Sequence, residues 1–269
     1  MLGAIVGDIV GSIYEFDNHR SKAFPFFGES ADFTDDSVLT LAVADALLHG
    51  KPPREALYRW AVRHPNRGYG GGFAAWLESR ELAPYNSFGN GAAMRVSPAA
   101  LLANTLDEAL DSARRVTVVT HDHPEGIKGA LATAHAIFLA RFDAGPGEIR
   151  RVVEHHYGYD LDRTVDSIRP AYRFNETCQE TVPQAIVCAL EARDFEDAIR
   201  NAISIGGDSD TVAAIAGPIA EARYGIPDEI AHEALARLTD EMRALIHTLY
   251  ARTEYGHPVR GLRGQNSYR

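Results

Sequence analysis

"AISIGGDSDTVAAIAG" (residues 202–217) can be read in two ways, and the choice between them decides the architecture. If the apolar "AISI" were a buried strand, the acidic segment after it would close a βα unit and a sheet would be needed around it. Gly206 and Gly207 instead separate that run from Asp208, and an alanine-rich segment at helical pitch starts at once. The same period extends outward through the chain. Leu2, Ile5, Val6, Ile9, Ile13 and Phe16 recur at three- and four-residue intervals, with Asp8, Ser12 and Glu15 on the opposite side, so a first amphipathic helix with an acidic face is expected. A second follows "TDDS" and stops near Gly50, ahead of Pro52 and Pro53. Further helices are predicted over 54–64, 73–80, 97–103, 106–118, 124–141, 147–156, 180–192, 195–204, 211–223, 227–236 and 239–251, and alternating strand patterns are nearly absent. The fold class is therefore predicted to be all-α. No low-complexity linker or repeat divides the chain, so a single domain over 1–254 is expected, followed by a loosely docked tail over 255–269 that has few apolar anchors.

Two acidic clusters stand at predicted helix starts: Thr34, Asp35, Asp36 and Ser37 in "FTDDSVLTLAVADALL", and Asp208, Ser209, Asp210 and Thr211 in "GGDSDTVAAIAG". Capping explains either one alone, because Asp, Ser and Thr are favoured at the N-cap and acids suit the first turn. Capping, however, uses one side chain, and each cluster supplies two carboxylates plus hydroxyls within four residues. Oxygen-only donors of this kind suit hard cations such as Mg²⁺ or Mn²⁺. If the two helix starts converge, four carboxylates can hold two ions, with Glu15 a further contributor. Asp8 is two turns from Glu15, roughly 10 Å along a helix axis, so a small site need not include both. "DSDTV" also fits the nucleophile motif of haloacid-dehalogenase-type phosphotransferases. That alternative requires a strand and a sheet, which the surrounding pattern does not provide.

With 37 acidic and 27 basic residues the chain carries −10, a poor background for nucleic acid. The two cysteines, Cys178 and Cys188, match no zinc, haem or redox spacing, and a cytoplasmic location is the expectation. "MLGAIVGDIVGSIYEF" has no basic leader, Asp8 interrupts it, and no segment approaches the ~18 to 20 apolar residues of a membrane span. A soluble monomer is expected.

Two glycine-rich stretches, "NRGYGGGF" and "FGNGAAMR", lead into predicted helices and offer backbone N–H groups that can cradle phosphate. His121 and His123 in "THDHPEG" form an H-x-H pair without a third soft ligand. Pro124 reads as the first residue of a helix, so zinc is not expected there. His155-His156 falls at a helix end. Residues 17–32, with Asp17, Phe24, Phe26, Phe27 and Glu29, are either a flap over the site or a surface loop tacked down by its aromatics.

Taken in order, "GAIVGDIVGSIYEF" (3–16), "FTDDSVLTLAVADALL" (33–48), "RGYGGGFAAWL" (67–77), "FGNGAAMRVSP" (88–98), "THDHPEGIKGA" (120–130) and "SIGGDSDTVAAIAGPIAEARYG" (204–225) resemble the ADP-ribosylglycohydrolases. That family includes the dinitrogenase-reductase-activating glycohydrolases and the ADP-ribosyl-acceptor hydrolases. The resemblance implies an all-α enzyme with a binuclear Mg²⁺ or Mn²⁺ centre that cleaves ADP-ribose from a modified protein or a small conjugate. It also implies metal ligands at Thr34, Asp35, Asp36, Asp208, Asp210 and Thr211, and ADP-ribose contacts at Gly89, Asn90, Gly91, Met94 and His121. Glu15 matches the glutamate of a "GSxYE" form found in O-linked acceptor hydrolases. Glu15, Asp36 or Asp208 would be the acid/base group. Whether the acceptor is serine, arginine or another group is left open. A non-catalytic relative that only binds ADP-ribose is the alternative, one that tends to lose metal ligands which are intact here.

Overall fold

In the computed structural model, residues 1–79 and 81–253 are described, so the predicted tail over 255–269 lies outside them. The most extensive helix pairing joins α1 (Leu2–Gly11) to α13 (Ser209–Tyr224). The two run antiparallel, with Gly3 against Gly217, Gly7 against Ala213 and Gly11 against Asp210. The contact is backbone on backbone: a Cβ on Gly7 would lie 2.2 Å from the Ala213 carbonyl oxygen, and one on Gly217 would lie 2.0 Å from that of Gly3. Only glycine permits that approach, and the approach draws the end of α1 and the start of α13 together.

Every residue of α1 is buried, so the helix is covered on all sides rather than exposing an acidic face. Its start is fastened by Glu221, which takes the Met1 ammonium at 2.7 Å, the Gly3 amide at 2.8 Å and the Tyr250 hydroxyl. The helix also ends earlier than its pattern suggests. After Gly11 the chain enters successive tight turns, closed by Tyr14 N–H to Gly11 C=O at 2.8 Å and Asp17 N–H to Tyr14 C=O at 3.1 Å.

Around this pair pack α2 (Asp35–His49) with α3 (Pro53–Arg63), and α11 (Cys178–Glu191) with α12 (Phe195–Ser204). A further group comprises α6 (Ser97–Leu102), α7 (Leu106–Thr117) and α8 (Pro124–Arg141). The short α4 (Gly71–Glu78) and α5 (Gly91–Met94) border the site, and α9 (Pro146–Tyr157), α10 (Val165–Ile168), α14 (Asp228–Ala236) and α15 (Asp240–Arg252) complete the set. Predicted helices recur within a residue or two at most ends, the usual fraying of boundaries. The two four-residue helices, α5 and α10, had no periodic signal to reveal them.

Among the described residues there is no strand, only an isolated antiparallel bridge between Gly89 and Thr177. "AISI" is the end of α12 and its cap, so the sheet-dependent reading of "DSDTV" is excluded. Both cysteines are buried and free, and no described helix is long and apolar enough to cross a membrane.

The 17–32 segment is pinned rather than free. The Phe24 ring packs 5.0 Å from Tyr14, and the Arg200 guanidinium lies over Phe24 and Phe26 while donating to the Lys22 and Phe24 carbonyls. Arg237 covers Phe27 and donates to the Ala31 carbonyl. Of the two readings of this stretch, the structure has the loop tacked down by aromatics.

Candidate functional site

The two acidic clusters converge. Asp8, Asp36 and Asp210 each offer a carboxylate oxygen within 4.8 Å of the others, and so do Glu15, Asp208 and Asp210. Capping does not consume these groups. The α2 cap is the Thr34 hydroxyl, which accepts from the Asp36 amide at 3.3 Å. Asp208, the residue ahead of α13, makes no side-chain cap bond at all. Both pairs of aspartates are therefore left over, and among the described residues none of them, nor Asp8 or Glu15, forms an ion pair. Asp36 Oδ1 is buried without a hydrogen-bond partner.

Their carboxyls behave as such crowding dictates. Burial, then repulsion from Asp208, Glu176 and Asp8, pushes Glu15 up to about 7. Burial and neighbouring carboxylates hold Asp35, Asp36 and Asp210 well above the ordinary range, and burial also raises Asp208. Carboxyls this crowded call for cationic counter-charge, and an all-oxygen donor set with an orphaned carboxylate oxygen fits a hard divalent cation.

Asp8 is the group that sequence reasoning set aside. A straight α1 running on to Glu15 would hold the two carboxylates about two turns apart, but the helix ends at Gly11. The chain turns there, and the two carboxylates join different groups that share Asp210: Asp8 stands with Asp36, and Glu15 with Asp208. Asp8 accepts from the Thr34 amide at 2.9 Å, the Thr34 hydroxyl at 2.6 Å, the Ser37 amide at 3.0 Å and the Ser37 hydroxyl. Three of these donors meet Oδ2 and one meets Oδ1, and together they lock α2 onto α1. These bonds partly offset burial, and its carboxyl lies at about 6.

The cluster floors a cavity of about 220 Å³. Thr34, Asp35, Asp36, Asp208, Asp210, Thr211 and Glu15 line it, as do Gly89, Asn90, Gly91, Met94 and His121 on another wall. Gly68 and Gly70 to Gly72 belong to the lining too. Asn90 links the walls, donating to Asp208 Oδ2 at 2.6 Å and to the Thr181 hydroxyl at 3.1 Å. Thr211 donates to Asp36 Oδ2 at 3.3 Å, tying the second cluster to the first. Leu39, Tyr85, Arg95 and Glu176 also line the cavity, and sequence reasoning isolated none of them. Arg95 stands inside a quoted motif, whereas Tyr85 lies in a stretch without periodic or motif signal.

Among the described residues His121 belongs to neither group of candidate metal ligands, and His123 serves as the α8 cap, accepting from the Glu125 amide at 3.1 Å. The fully buried Arg95 donates to the Thr120 hydroxyl at 2.5 Å and lies 3.3 Å from His121 Nδ1. Thr120 Oγ1 is 2.8 Å from that same nitrogen. A guanidinium can only donate, so Nδ1 is the acceptor and the ring proton sits on Nε2. Burial and then Arg95 pull His121 well below its usual pKa, keeping it neutral. Nε2 stands 3.3 Å from where a Gly91 Cβ would be, so the glycine turn makes room for it.

The model of the ADP-ribosylglycohydrolase family matches residues 1–258, and the chain belongs to this family. It is 27% identical to the human protein described as ADP-ribosylhydrolase ARH3, over 84% of each chain. It is 26% identical to ADP-ribosylarginine hydrolase Tri1 of Pseudomonas putida, over 84% of this chain and 70% of that one. A solved structure described as an ADP-ribosylglycohydrolase-related protein complex superposes with a TM-score of 0.70 at 27% identity, covering 93% of this chain and 96% of its own.

Proposed function

We propose that this chain hydrolyses the bond between the anomeric carbon of ADP-ribose and an acceptor atom, in a modified protein or a small conjugate, with two Mg²⁺ or Mn²⁺ ions. The observation that carries the reading is the meeting of uncompensated carboxylates from three separate segments at the floor of one cavity. Thr34, Asp35, Asp36, Asp208, Asp210 and Thr211 would hold the ions. Bound there, the cations would orient ribose hydroxyls and polarise a water.

The protein's own groups supply the rest. Cleavage builds oxocarbenium character on the ribose, and a carboxylate must take the proton of the attacking water. Glu15, half-buried beside Asp208 and Asp210, is placed for that exchange, with Asp36 and Asp208 as the other candidates. The Gly89–Gly91 turn, Asn90 and Met94 would receive the ligand, with His121 Nε2–H donating to one of its oxygens. The acceptor atom is decided by experiment: "GSIYE" favours an O-linkage, while one relative is by name an ADP-ribosylarginine hydrolase.

The test is release of free ADP-ribose from serine-linked and arginine-linked peptides in Mg²⁺, Mn²⁺ or EDTA. Metal-dependent release from either establishes the reaction and names the acceptor class. No release from either, with ADP-ribose still bound in calorimetry, would replace the hydrolase with the binding relative.

A further inference from the structure

We propose that the face beside the cavity mouth, formed by Arg20, Arg169 and Arg173 together with the stacked Phe16 and Phe174 rings, docks an acidic peptide segment of the acceptor. The inference rests on the hydrolase reading and extends it to what lies beyond the cleft. On a chain of net charge −10, three arginines line one open cleft with Asn18, Pro170 and a single acid, Asp166. Asp166 is taken by Arg169 at 2.5 Å. Among the described residues Arg20 and Arg173 have no carboxylate partner. Both donate to the Tyr172 carbonyl, Arg20 at 2.6 Å and Arg173 at 2.8 Å, and their mutual repulsion adds to burial in lowering Arg20. Asp17, close in sequence, faces His19 instead. Arg20 also donates to the Arg169 carbonyl and to Asn18 Oδ1, whereas Arg173 uses, among the described residues, only Nη1, on the Pro170 and Tyr172 carbonyls, so its Nε and Nη2 edge is the fork that matches a carboxylate.

The apolar part of the face is next to this cleft. Phe16 is 83% exposed and Phe174 45% exposed, yet their rings stack with centroids 5.9 Å apart. Exposed aromatic pairs of this kind mark contact surfaces. Both features adjoin the site. Phe16 follows Glu15, Phe174 precedes Glu176 by two residues, and Glu15 and Glu176 line the cavity. Gly206 and Gly207, which lead into Asp208, lie against Arg20 and against Tyr172 with the Arg173 carbonyl. An acceptor joined to the anomeric carbon leaves the cavity at its carboxylate end, so its flanking residues cross the phenylalanines and reach the arginines.

The experiment compares two ADP-ribosylated peptides of identical linkage, one with Asp/Glu flanks and one with Asn/Gln flanks, against a small conjugate with no peptide. Wild type should show kcat/KM higher for the acidic peptide by about five- to tenfold at low salt, fading as salt is added. Arg173→Glu should erase that preference, and Phe174→Ala should raise KM for both peptides. Turnover of the small conjugate should be unchanged in both variants. Equal kcat/KM for the two peptides, or an Arg173→Glu preference like that of wild type, overturns the proposal. If no conjugate is hydrolysed, the hydrolase reading fails instead. Calorimetry of the acidic peptide with wild type and Arg173→Glu then decides the docking surface by itself: equal binding, or none, sinks it.

Discussion

Gly7→Ala is the smallest change that tests how the site is built. The added methyl would lie 2.2 Å from the Ala213 carbonyl oxygen and 2.3 Å from its carbon, both main-chain atoms that cannot swing aside. Reaching the 3.4 Å at which ordinary contact begins requires α1 and α13 to separate by about 1.2 Å. Overpacking of this kind costs ~1–3 kcal/mol, and here the upper end applies because backbone meets backbone. Alanine returns up to ~1 kcal/mol of helix propensity, leaving a loss of about 2 kcal/mol. Gly147→Ala is the matched control: it lies in α9 with nothing within 4 Å of the added methyl, and should gain ~0.5–1 kcal/mol. Urea unfolding followed by circular dichroism measures both. Because Asp8 and Asp210 sit on the separating helices, Gly7→Ala should also lower metal-dependent turnover by about 100-fold, the cost of a misplacement near 1 Å. An unchanged midpoint and slope for Gly7→Ala would refute the close-approach reasoning.

Wild type should melt higher in Mg²⁺ than in EDTA, and Asp210→Asn should abolish both that shift and ADP-ribose release while the metal-free variant stays folded by circular dichroism; a retained Mg²⁺ shift would remove Asp210 from the ligand set. Burial would raise the Asp197 carboxyl, but hydrogen bonds from Arg193 and Lys22 prevail and hold it at about 2. Its folded pKa is below its unfolded one, so that stability is present above pH ~4 and is lost as pH falls toward 2. Arg193 is 82% exposed and solvent screens it, so Asp197→Asn should remove only about 1 kcal/mol from the acid limb of the stability profile. A profile unchanged between pH 2 and 4 would contradict the assignment. In nitrogen-15 spectra of the ligand-free protein, His121 should carry its proton on Nε2, and Arg95→Met should yield mixed tautomers; an Nδ1–H ring in wild type would overturn the hydrogen-bond reading.

The helices were legible because their apolar residues repeat at the α period, and Gly50, Pro52 and Pro53 mark a stop without ambiguity. The acidic clusters were legible because two carboxylates in three residues exceed what a cap uses, and the capping bonds show that surplus directly. What could not be read was how near the elements come. Gly3, Gly7 and Gly11 form a stripe whose meaning depends on the opposing face of α13, which no local pattern specifies. The turn after Gly11 carries no proline or glycine pair, so the apolar period alone carries α1 on to Phe16, past its actual end at Gly11. Tyr85 enters the cavity from an irregular segment, where neither period nor motif points to it.

The pairing of α1 with α13 joins residues about 200 positions apart, and this orders events during synthesis. A nascent chain that has emerged only through α12 holds Asp8, Glu15, Asp35 and Asp36 but lacks Asp208 and Asp210, and its first helix has no partner for its glycine stripe. On the proposed function, half a site would bind a divalent cation weakly, so the ion would be captured only once the last quarter of the chain has packed. Metal uptake would thus report completion of the whole fold, and an interrupted chain would leave the ribosome with an apolar helix uncovered and the proposed centre unassembled.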